Sequence, residues 1–269
     1  MNYKTYRGDS LDLDSQSPFF WDHVVRYWWA AEQAKQLSVL DCATGKGYGA
    51  FIMAQTANKV TGIDLNPHSI HIAQASFSSQ SNLTYKLQDV FKLEELSEKF
   101  DLITAFEVIE HLPPELTDKF ISSLAGALKP NGTLLLSTPN HDVVMKSYVH
   151  LPSFHINNFR PNELKSALSK HFNHVEMLGQ FKERKGLQKL IFDFDFLNLR
   201  HILKNLFKSK PKHNPDHPDE SEDSHDVIQG QKLSADNFSQ KPVAEIAKYK
   251  FSSSHFRQAG LTVARCSHD

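Results

Sequence analysis

Cysteine is scarce in this sequence, with Cys42 and Cys266 the only two among 269 residues. Two thiols so far apart make neither a disulfide framework nor a metal-ligand pattern, and a reducing cytosol is the simple expectation. Charge of one sign is missing as well. Thirty Lys and Arg stand against 31 Asp and Glu, a formal net charge of −1, so no basic field marks nucleic acid as a partner. No apolar run approaches the length that crosses a bilayer, and the polar stretch from Met1 to Leu11 lacks a signal-peptide core. These absences predict a soluble, cytoplasmic chain long enough for one large domain, or one domain with an insertion.

Glycine is also sparse, at 11 residues, yet three of them fall within Val39 to Ala50, the run VLDCATGKGYGA. An apolar strand stops at Asp41, a turn of small residues follows, and a helix begins. Glycine lacks a Cβ, so such a turn can hold unusual dihedrals and let a nucleotide-like ligand touch the main chain. Gly45, Gly47 and Ala50 satisfy the dinucleotide fingerprint, and Asp64 follows at about the 20-residue spacing of a ribose-binding acid. On the turn alone, a nicotinamide ligand stays open. Asp41 points elsewhere, because an acid at the strand end repels a pyrophosphate and suits a positive group. S-adenosylmethionine carries an ammonium and no phosphate, so its glycine turn needs only to admit the ligand, with no anion to cradle.

Alternation of strand and helix patterns continues along the chain. An aromatic-rich helix is expected over Phe19 to Ala34. Strands are expected at Leu37 to Asp41, Lys59 to Asp64, Leu83 to Leu87, Phe100 to Phe106 and Thr133 to Ser137. Helices lie between them at Gly47 to Ala57, Pro67 to Phe77 and Pro114 to Leu128, the last ended by the turn signal Lys129 to Gly132. A helix over Pro161 to His171 and a sixth strand over His174 to Phe181 follow. Ala259 to Cys266 reads as a last strand that pairs with the sixth across an insertion. The expected fold is α/β: a Rossmann-like, doubly wound, seven-stranded and mostly parallel sheet with helices on both faces.

The domain reading has four parts. Residues 1–36 form an N-terminal helical cap, 37–181 the ligand-binding core, 182–242 an insertion, and 243–269 the final strand or strands. Within the insertion, Lys182 to Phe207 is basic and amphipathic, whereas Ser209 to Gln240 is polar and is expected to be disordered. The basic part suits packing on its own domain, a pocket lid, a homodimer contact, or a peripheral contact with the inner membrane surface. His213, His217 and His225 lie in that polar tract without cysteine partners, and no metal is expected.

Arg26-Tyr27 and the segments VLDCATGKGYG, GIDLNP, LQDV, FDLITAFEVIEHLPP, LKPNGTLLLSTPN and FHINNFRPNEL occur in a characteristic order. In that order they resemble the class I S-adenosylmethionine-dependent methyltransferases, and most of all a bacterial branch associated with surface-polysaccharide and sugar modification. The resemblance covers Phe19 to Phe181 and, more weakly, the final strand. It implies that Asp41, Ala43, Gly45 and Gly47 wall the methionine side of the cofactor pocket, with Ala43 where many relatives carry glycine. Asp64 would bind the ribose, Leu65 would pack on the adenine, Asp89 would meet its amino group and Val90 would cover the ring. Phe106 would lie beside the transferred methyl, and Tyr27 with Arg26 would reach the methionine carboxylate or close the pocket.

An alcohol acceptor must lose a proton as it is methylated, and histidine titrates near neutrality. His155 is the first candidate base and His111 the second, while Glu107 or Glu110 could hold acceptor hydroxyls. The leading expectation is O-methylation of a sugar or glycan-linked hydroxyl. The alternatives are a small-molecule methyltransferase of quinone or secondary-metabolite type, and a silent regulatory protein that keeps the cofactor pocket.

Overall fold

The computed structural model describes residues 20–146, 154–182 and 235–268. Its sheet is built on β1 (Ser38–Cys42), β2 (Lys59–Asp64), β3 (Leu83–Leu87), β4 (Phe100–Phe106) and β5 (Leu128–Pro139), all parallel. Three further strands complete it: β6 (His174–Lys182), β7 (Tyr249–Ser252) and β8 (Leu261–Ser267). The order is β3-β2-β1-β4-β5-β8-β6-β7. β8 enters antiparallel between β5 and β6, and β7 runs antiparallel on the outside of β6. The chain therefore leaves β1 for β2 and β3 on one side and crosses back from β3 to β4 on the other side of β1. Such a switch point leaves a crevice at the carboxyl ends of the strands, where ligands bind in doubly wound sheets.

Eight strands stand where seven were expected. The additional one, β7, has four residues, Tyr-Lys-Phe-Ser, too short for a visible alternation. It lies at the sheet edge, pairing Tyr249 to Ser252 with Lys182 to Gly179. The expected pairing of the last strand with the sixth is present, from His174↔Ser267 to Gln180↔Leu261. β5 begins at Leu128, earlier than Thr133. The register jumps from Phe100↔Leu128 to Leu102↔Thr133, so Lys129 to Gly132 forms a bulge inside the strand and not a turn before it. A Cβ at Gly132 would come within 2.9 Å of the Phe100 carbonyl, which explains glycine at the bulge.

Among the described residues, six helices precede the insertion: α1 (Phe20–Gln33), α2 (Tyr48–Ala54), α3 (Pro67–Phe77), α4 (Thr117–Ala127), α5 (His141–Lys146) and α6 (Pro161–Leu168). A seventh, α7 (Val243–Ile246), follows it. Val39 and Leu40 show how strand alternation splits the core. Val39 joins Tyr27, Trp28, Phe51, Ile52, Ile70 and Phe77 on the face covered by α1, α2 and α3. Leu40 joins Ile103, Phe120, Leu124, Leu164 and Leu168 on the face covered by α4 and α6.

The insertion returns to the core sooner than expected. Phe238, placed by sequence in the disordered stretch, is 3% exposed and packs its ring 5.6 Å from Tyr48 and 6.4 Å from Phe77. From there β7 ties back to α1: Phe251 stacks on Trp29 at 4.4 Å, and the Tyr249 hydroxyl donates to Asp22 Oδ1 at 2.6 Å. The rest of the insertion, including the basic amphipathic stretch after Lys182, lies outside the described residues. Among the described helices none is long and apolar enough to cross a membrane.

Candidate active site at the carboxyl ends of the strands

The turn between β1 and α2 holds three left-handed residues, Ala43 (φ 55°), Gly45 (φ 55°) and Gly47 (φ 87°). Sterics confine side-chain-bearing residues away from that region, so Ala43 is held in strain by its surroundings. At Gly47 a side chain has no room. Its Cβ would lie 2.6 Å from Ala73 Cβ and 2.7 Å from the Tyr85 hydroxyl oxygen. The turn is anchored by Thr44 N–H donating to the Ile63 carbonyl at 2.8 Å and Gly47 N–H donating to the Thr44 carbonyl at 3.0 Å.

Asp41 does not line the crevice surface. It is fully buried, and its two oxygens are taken by three hydroxyls. Oδ1 accepts from Thr104 at 2.6 Å and from Tyr27 at 3.3 Å, and Oδ2 accepts from Thr44 at 2.7 Å. Burial pushes its carboxyl up to about 6, against the pull of these hydrogen bonds. In this structure Asp41 shapes the turn from behind, which differs from the wall position assigned by sequence.

Asp64 ends β2 and folds onto the same turn. Oδ2 accepts the Gly45 N–H at 2.8 Å and Oδ1 the Asn66 N–H at 2.8 Å. Burial raises its pKa while these N–H groups lower it. An ionised carboxylate has about four acceptor positions, so capacity for two ligand hydroxyls remains. Gln88 N–H donates to the Asp64 carbonyl at 3.0 Å, which brings the β3 end alongside. There Asp89 Oδ1 accepts the Phe91 N–H at 2.9 Å, and Val90 is half-buried against the core. Leu65 and Leu87 sit exposed at the ends of β2 and β3.

The ends of β4 and β5 are organised by a cation that the sequence reading placed elsewhere. Arg26, on α1, is 2% exposed. Its Nη1 donates to Glu107 Oε1 at 3.1 Å and to Ser137 Oγ at 2.8 Å, and its Nε donates to Gln180 Oε1 at 3.0 Å. Its guanidinium lies 5.5 Å from the centre of the Phe106 ring, and Tyr27 meets the same ring edge-on at 5.2 Å. The sequence resemblance gave Arg26, with Tyr27, the methionine carboxylate or a place closing the pocket; in this structure its carboxylate partner is Glu107. Glu107 itself has φ 56°, a second strained non-glycine position at a strand end.

Beyond Glu107 the chain makes a short 3-10 turn, Ile109–His111. Glu110 points inward and is 1% exposed. Its Oε2 accepts from Thr138 at 3.1 Å, while Oε1 is buried with no hydrogen-bond partner among the described residues. Burial, and next the charge of Glu107, hold its pKa well above the carboxylate range. The Glu110 carbonyl accepts the N–H groups of Ile156 and Asn157 at 3.0 and 3.1 Å. Asn157 also donates to the Ile109 carbonyl and to Thr117. These bonds fasten the connection after β5 onto the 3-10 turn, and so bring His155 to His111 with ring centres 4.8 Å apart. Phe154 stacks on His111 at 5.5 Å. One donor atom from each of Glu110, His111 and His155 lies within 4.8 Å of the other two. The two histidines guessed separately from sequence therefore form one cluster. Burial and His111 lower the His155 pKa to about 4.

Among the residues that sequence reasoning missed are Leu87, Thr104, Ser137, Thr138, Phe154 and Gln180. Ser137 and Thr138 stood within a quoted motif, but nothing local marked Gln180 as the partner of Arg26.

The description "Methyltransferase domain" fits residues 39–132. The ubiquinone biosynthesis O-methyltransferase of Coxiella burnetii (strain Dugway 5J108-111) is 30% identical over 171 residues, covering 63% of this chain and 70% of the relative. This chain belongs to the class I S-adenosylmethionine-dependent methyltransferases. Solved structures agree on the fold. The PH0226 protein of Pyrococcus horikoshii OT3 has a TM-score of 0.53 at 19% identity, over 68% of this chain and 93% of that one. The N-methyltransferase NodS from Bradyrhizobium japonicum WM9, in complex with S-adenosyl-L-homocysteine, has a TM-score of 0.51 at 18% identity, over 66% and 86%. The surface-polysaccharide branch expected from sequence gains no support, since the matched relatives carry a quinone name.

S-adenosylmethionine is the methyl donor of this methyltransferase, and the residues present fit it. The missing Cβ of Gly47 lets the turn pack on Ala73 and Tyr85, which holds its left-handed backbone at the carboxyl ends of the strands. Asp64 keeps acceptor positions for ribose hydroxyls, and the exposed apolar side chains of Leu65 and Leu87 suit an adenine ring.

Proposed function

We propose that this methyltransferase methylates a ring hydroxyl of an aromatic, quinol-type acceptor. The observation that carries the reading is the aromatic cluster of His111, Phe154 and His155 beside the ends of β4 and β5. Flat rings at stacking distance suit a planar acceptor. Ile156, an exposed apolar side chain next in the chain, extends that surface. A sugar site asks instead for free polar groups, and the carboxylates expected to supply them are engaged inward, Glu107 by Arg26 and Ser137, Glu110 by Thr138. The name of the matched relatives supports the same choice.

In this reading the donor half of the site comprises Ala43, Gly45, Gly47, Asp64, Leu65, Asp89 and Val90. The acceptor half comprises Phe106, Glu107, Glu110, His111, Phe154 and His155. The bound donor supplies a methyl group made electrophilic by its positive sulfur, and the carbon–sulfur bonding pair leaves with sulfur as the acceptor oxygen bonds to carbon. The chain's own contribution is to hold the acceptor oxygen in line and to take its proton. His155 is the candidate base, because it is half-buried within the ring cluster and its pKa, lowered to about 4, leaves it neutral at physiological pH.

The test is a transfer assay with labelled donor on a set of catechol-type, quinol-type and hexose acceptors, read by mass spectrometry. A methyl ether on a ring hydroxyl is the expected product. Methylation of the hexose set alone would overturn the reading.

A further inference from the structure

β3 lies at the edge of the sheet, and of its five residues only Tyr85 is buried. Its ring lies across Gly62, its pairing partner in β2, where a Cβ would come within 2.8 Å of the ring. Beyond Gly62 the phenol reaches the turn between β1 and α2, and its hydroxyl donates to the Gly47 carbonyl at 2.6 Å. A Cβ on Gly47 would in turn meet that hydroxyl at 2.7 Å and the ring at 2.8 Å. Two glycines, on a strand and on the turn, thus leave the slot that one ring fills. A phenylalanine would fill the same slot, so packing alone does not account for the buried hydroxyl, whose removal from water is unfavourable without a partner.

The hydroxyl answers a need that glycine creates. Gly47 sits at φ 87°, and glycine passes readily to other dihedrals, so the residue that permits the turn also leaves it free to move. Other positions of the turn have their own anchors, Thr44 N–H on the Ile63 carbonyl and Gly45 N–H on Asp64. The Gly47 carbonyl accepts the Phe51 N–H at 3.1 Å, the first bond of α2, and Tyr85 takes its second acceptor position. With both positions taken, the planar Gly47–Tyr48 peptide is fixed in orientation. Gly47 N–H, donating to the Thr44 carbonyl, carries that hold back into the turn. Burial, and next the charge of Asp41, keep the Tyr85 pKa well above the usual phenol value, so its hydroxyl remains a donor.

We propose that Tyr85 is a positioning residue for the methyl donor: its hydroxyl locks the Gly47 end of the turn, and the lock sets donor affinity. This rests on seating the donor against that turn, beside Asp64. Tyr85 acts through the main chain of Gly47, and the acceptor half does not depend on it.

The test removes one oxygen. In full-length Tyr85→Phe, calorimetry should show S-adenosylhomocysteine binding about tenfold more weakly, and the donor KM should rise by a similar factor. The acceptor KM, and kcat at saturating donor, should stay within about twofold, the pattern of lost ground-state binding on the donor side alone. Gly62→Ala, which crowds the ring without altering the hydroxyl, should weaken donor binding as well. The two changes together should cost less than the product of their separate effects, because both break the same lock. A donor affinity within twofold of wild type in Tyr85→Phe, whatever happens to its urea midpoint, would overturn the proposal. Equal losses in donor and acceptor parameters would do the same, since they would report a general loosening of the fold. Where Tyr85→Phe does not fold, unchanged donor affinity in Gly62→Ala overturns it instead. Gly47→Ala separates the two readings: if it too binds donor normally, the donor does not lie against the turn. If it loses donor while Tyr85→Phe does not, the seat stands and only the role of Tyr85 falls.

Discussion

The donor half of the site is shaped by backbone, and the acceptor half by side chains that arrive from distant segments. Between Ala43 and Gly47 the main chain itself holds three left-handed residues, and the strand ends at Asp64 and Asp89 follow within a few dozen residues. At the other half, Arg26 reaches Glu107, Ser137 and Gln180 across 81, 111 and 154 positions of sequence. A backbone device tolerates change in its side chains but not in its dihedrals. A side-chain network has the reverse weakness, since one missing partner strands the others. The two halves should therefore fail differently, and four changes separate them.

The largest effect is expected at the network's centre. Arg26→Met removes a buried cation and leaves Glu107 Oε1, Ser137 and Gln180 without it. Breaking a buried pair on one side typically costs about 3–5 kcal/mol, and the partial exposure of Glu107 argues for the lower end, about 3 kcal/mol. Urea unfolding should show that loss, and Arg26→Met combined with Glu107→Gln should recover part of it. Affinity for S-adenosylhomocysteine should change by less than about tenfold, because in this structure Arg26 serves the acceptor half. A hundredfold loss of affinity in the folded variant would move Arg26 across the boundary and blur the comparison.

Gly47→Ala is the matching insult to the donor half. The new Cβ would meet Ala73 and Tyr85 well inside contact distance while the backbone sits at φ 87°. Left-handed strain of about 1–2 kcal/mol and overpacking of about 1 kcal/mol, the low end for a single methyl group, add to an expected loss of about 2–3 kcal/mol. Calorimetry should show donor affinity falling by more than tenfold even where the protein remains folded. Retained affinity would mean that the turn is less rigid than its geometry states.

How much of this was legible in the sequence follows the same division. The glycine turn, the acids at the strand ends and the parallel order are local patterns, and a reader of VLDCATGKGYG and GIDLNP can place them. The bulge at Lys129 to Gly132 carried the right residues for a turn, because bulge and turn both ask for a break in the ladder; only the pairing of Phe100 with Leu128 distinguishes them. β7 was hidden by its brevity. The Arg26 network was hidden by distance, since a buried arginine on an aromatic helix looks like any packed residue until its partners are known. His111 and His155 were visible as histidines and invisible as neighbours, for the bonds that join them run through the backbone of Glu110 and the side chain of Asn157.

Asp41 gives a pH test of the donor half. Its folded pKa of about 6 lies above the usual 3.8, so the folded state holds this proton more tightly than the unfolded chain does. The stability it contributes is full below about pH 3.8 and is lost as pH rises to 6, a change on the order of 2–3 kcal/mol. His23 on α1 opposes it. Burial and Arg26 lower its pKa to about 3, so its stability is full above about 6.5 and is lost as pH falls. Asp41→Asn should therefore gain stability relative to wild type between pH 4 and pH 7, measured by urea unfolding at each pH. A constant difference across that range would show that Asp41 does not titrate in the fold.

The smallest effect is the most direct probe of how the backbone shapes the donor half. Ala43 holds φ 55° with a side chain in place, at a position where glycine carries no such penalty. Ala43→Gly relieves left-handed strain of about 1–2 kcal/mol, and the added freedom of the unfolded chain returns about 0.5–1 kcal/mol of that gain. The net expectation is a stabilisation of about 0.5–1 kcal/mol with donor affinity nearly unchanged, read as a small rise in melting temperature. A drop in stability would mean that the Ala43 methyl group, packed against the Leu40 side of the core, contributes more by burial than its dihedral costs. In that case the donor turn too would owe part of its shape to side chains, and the contrast with the acceptor half would be one of degree.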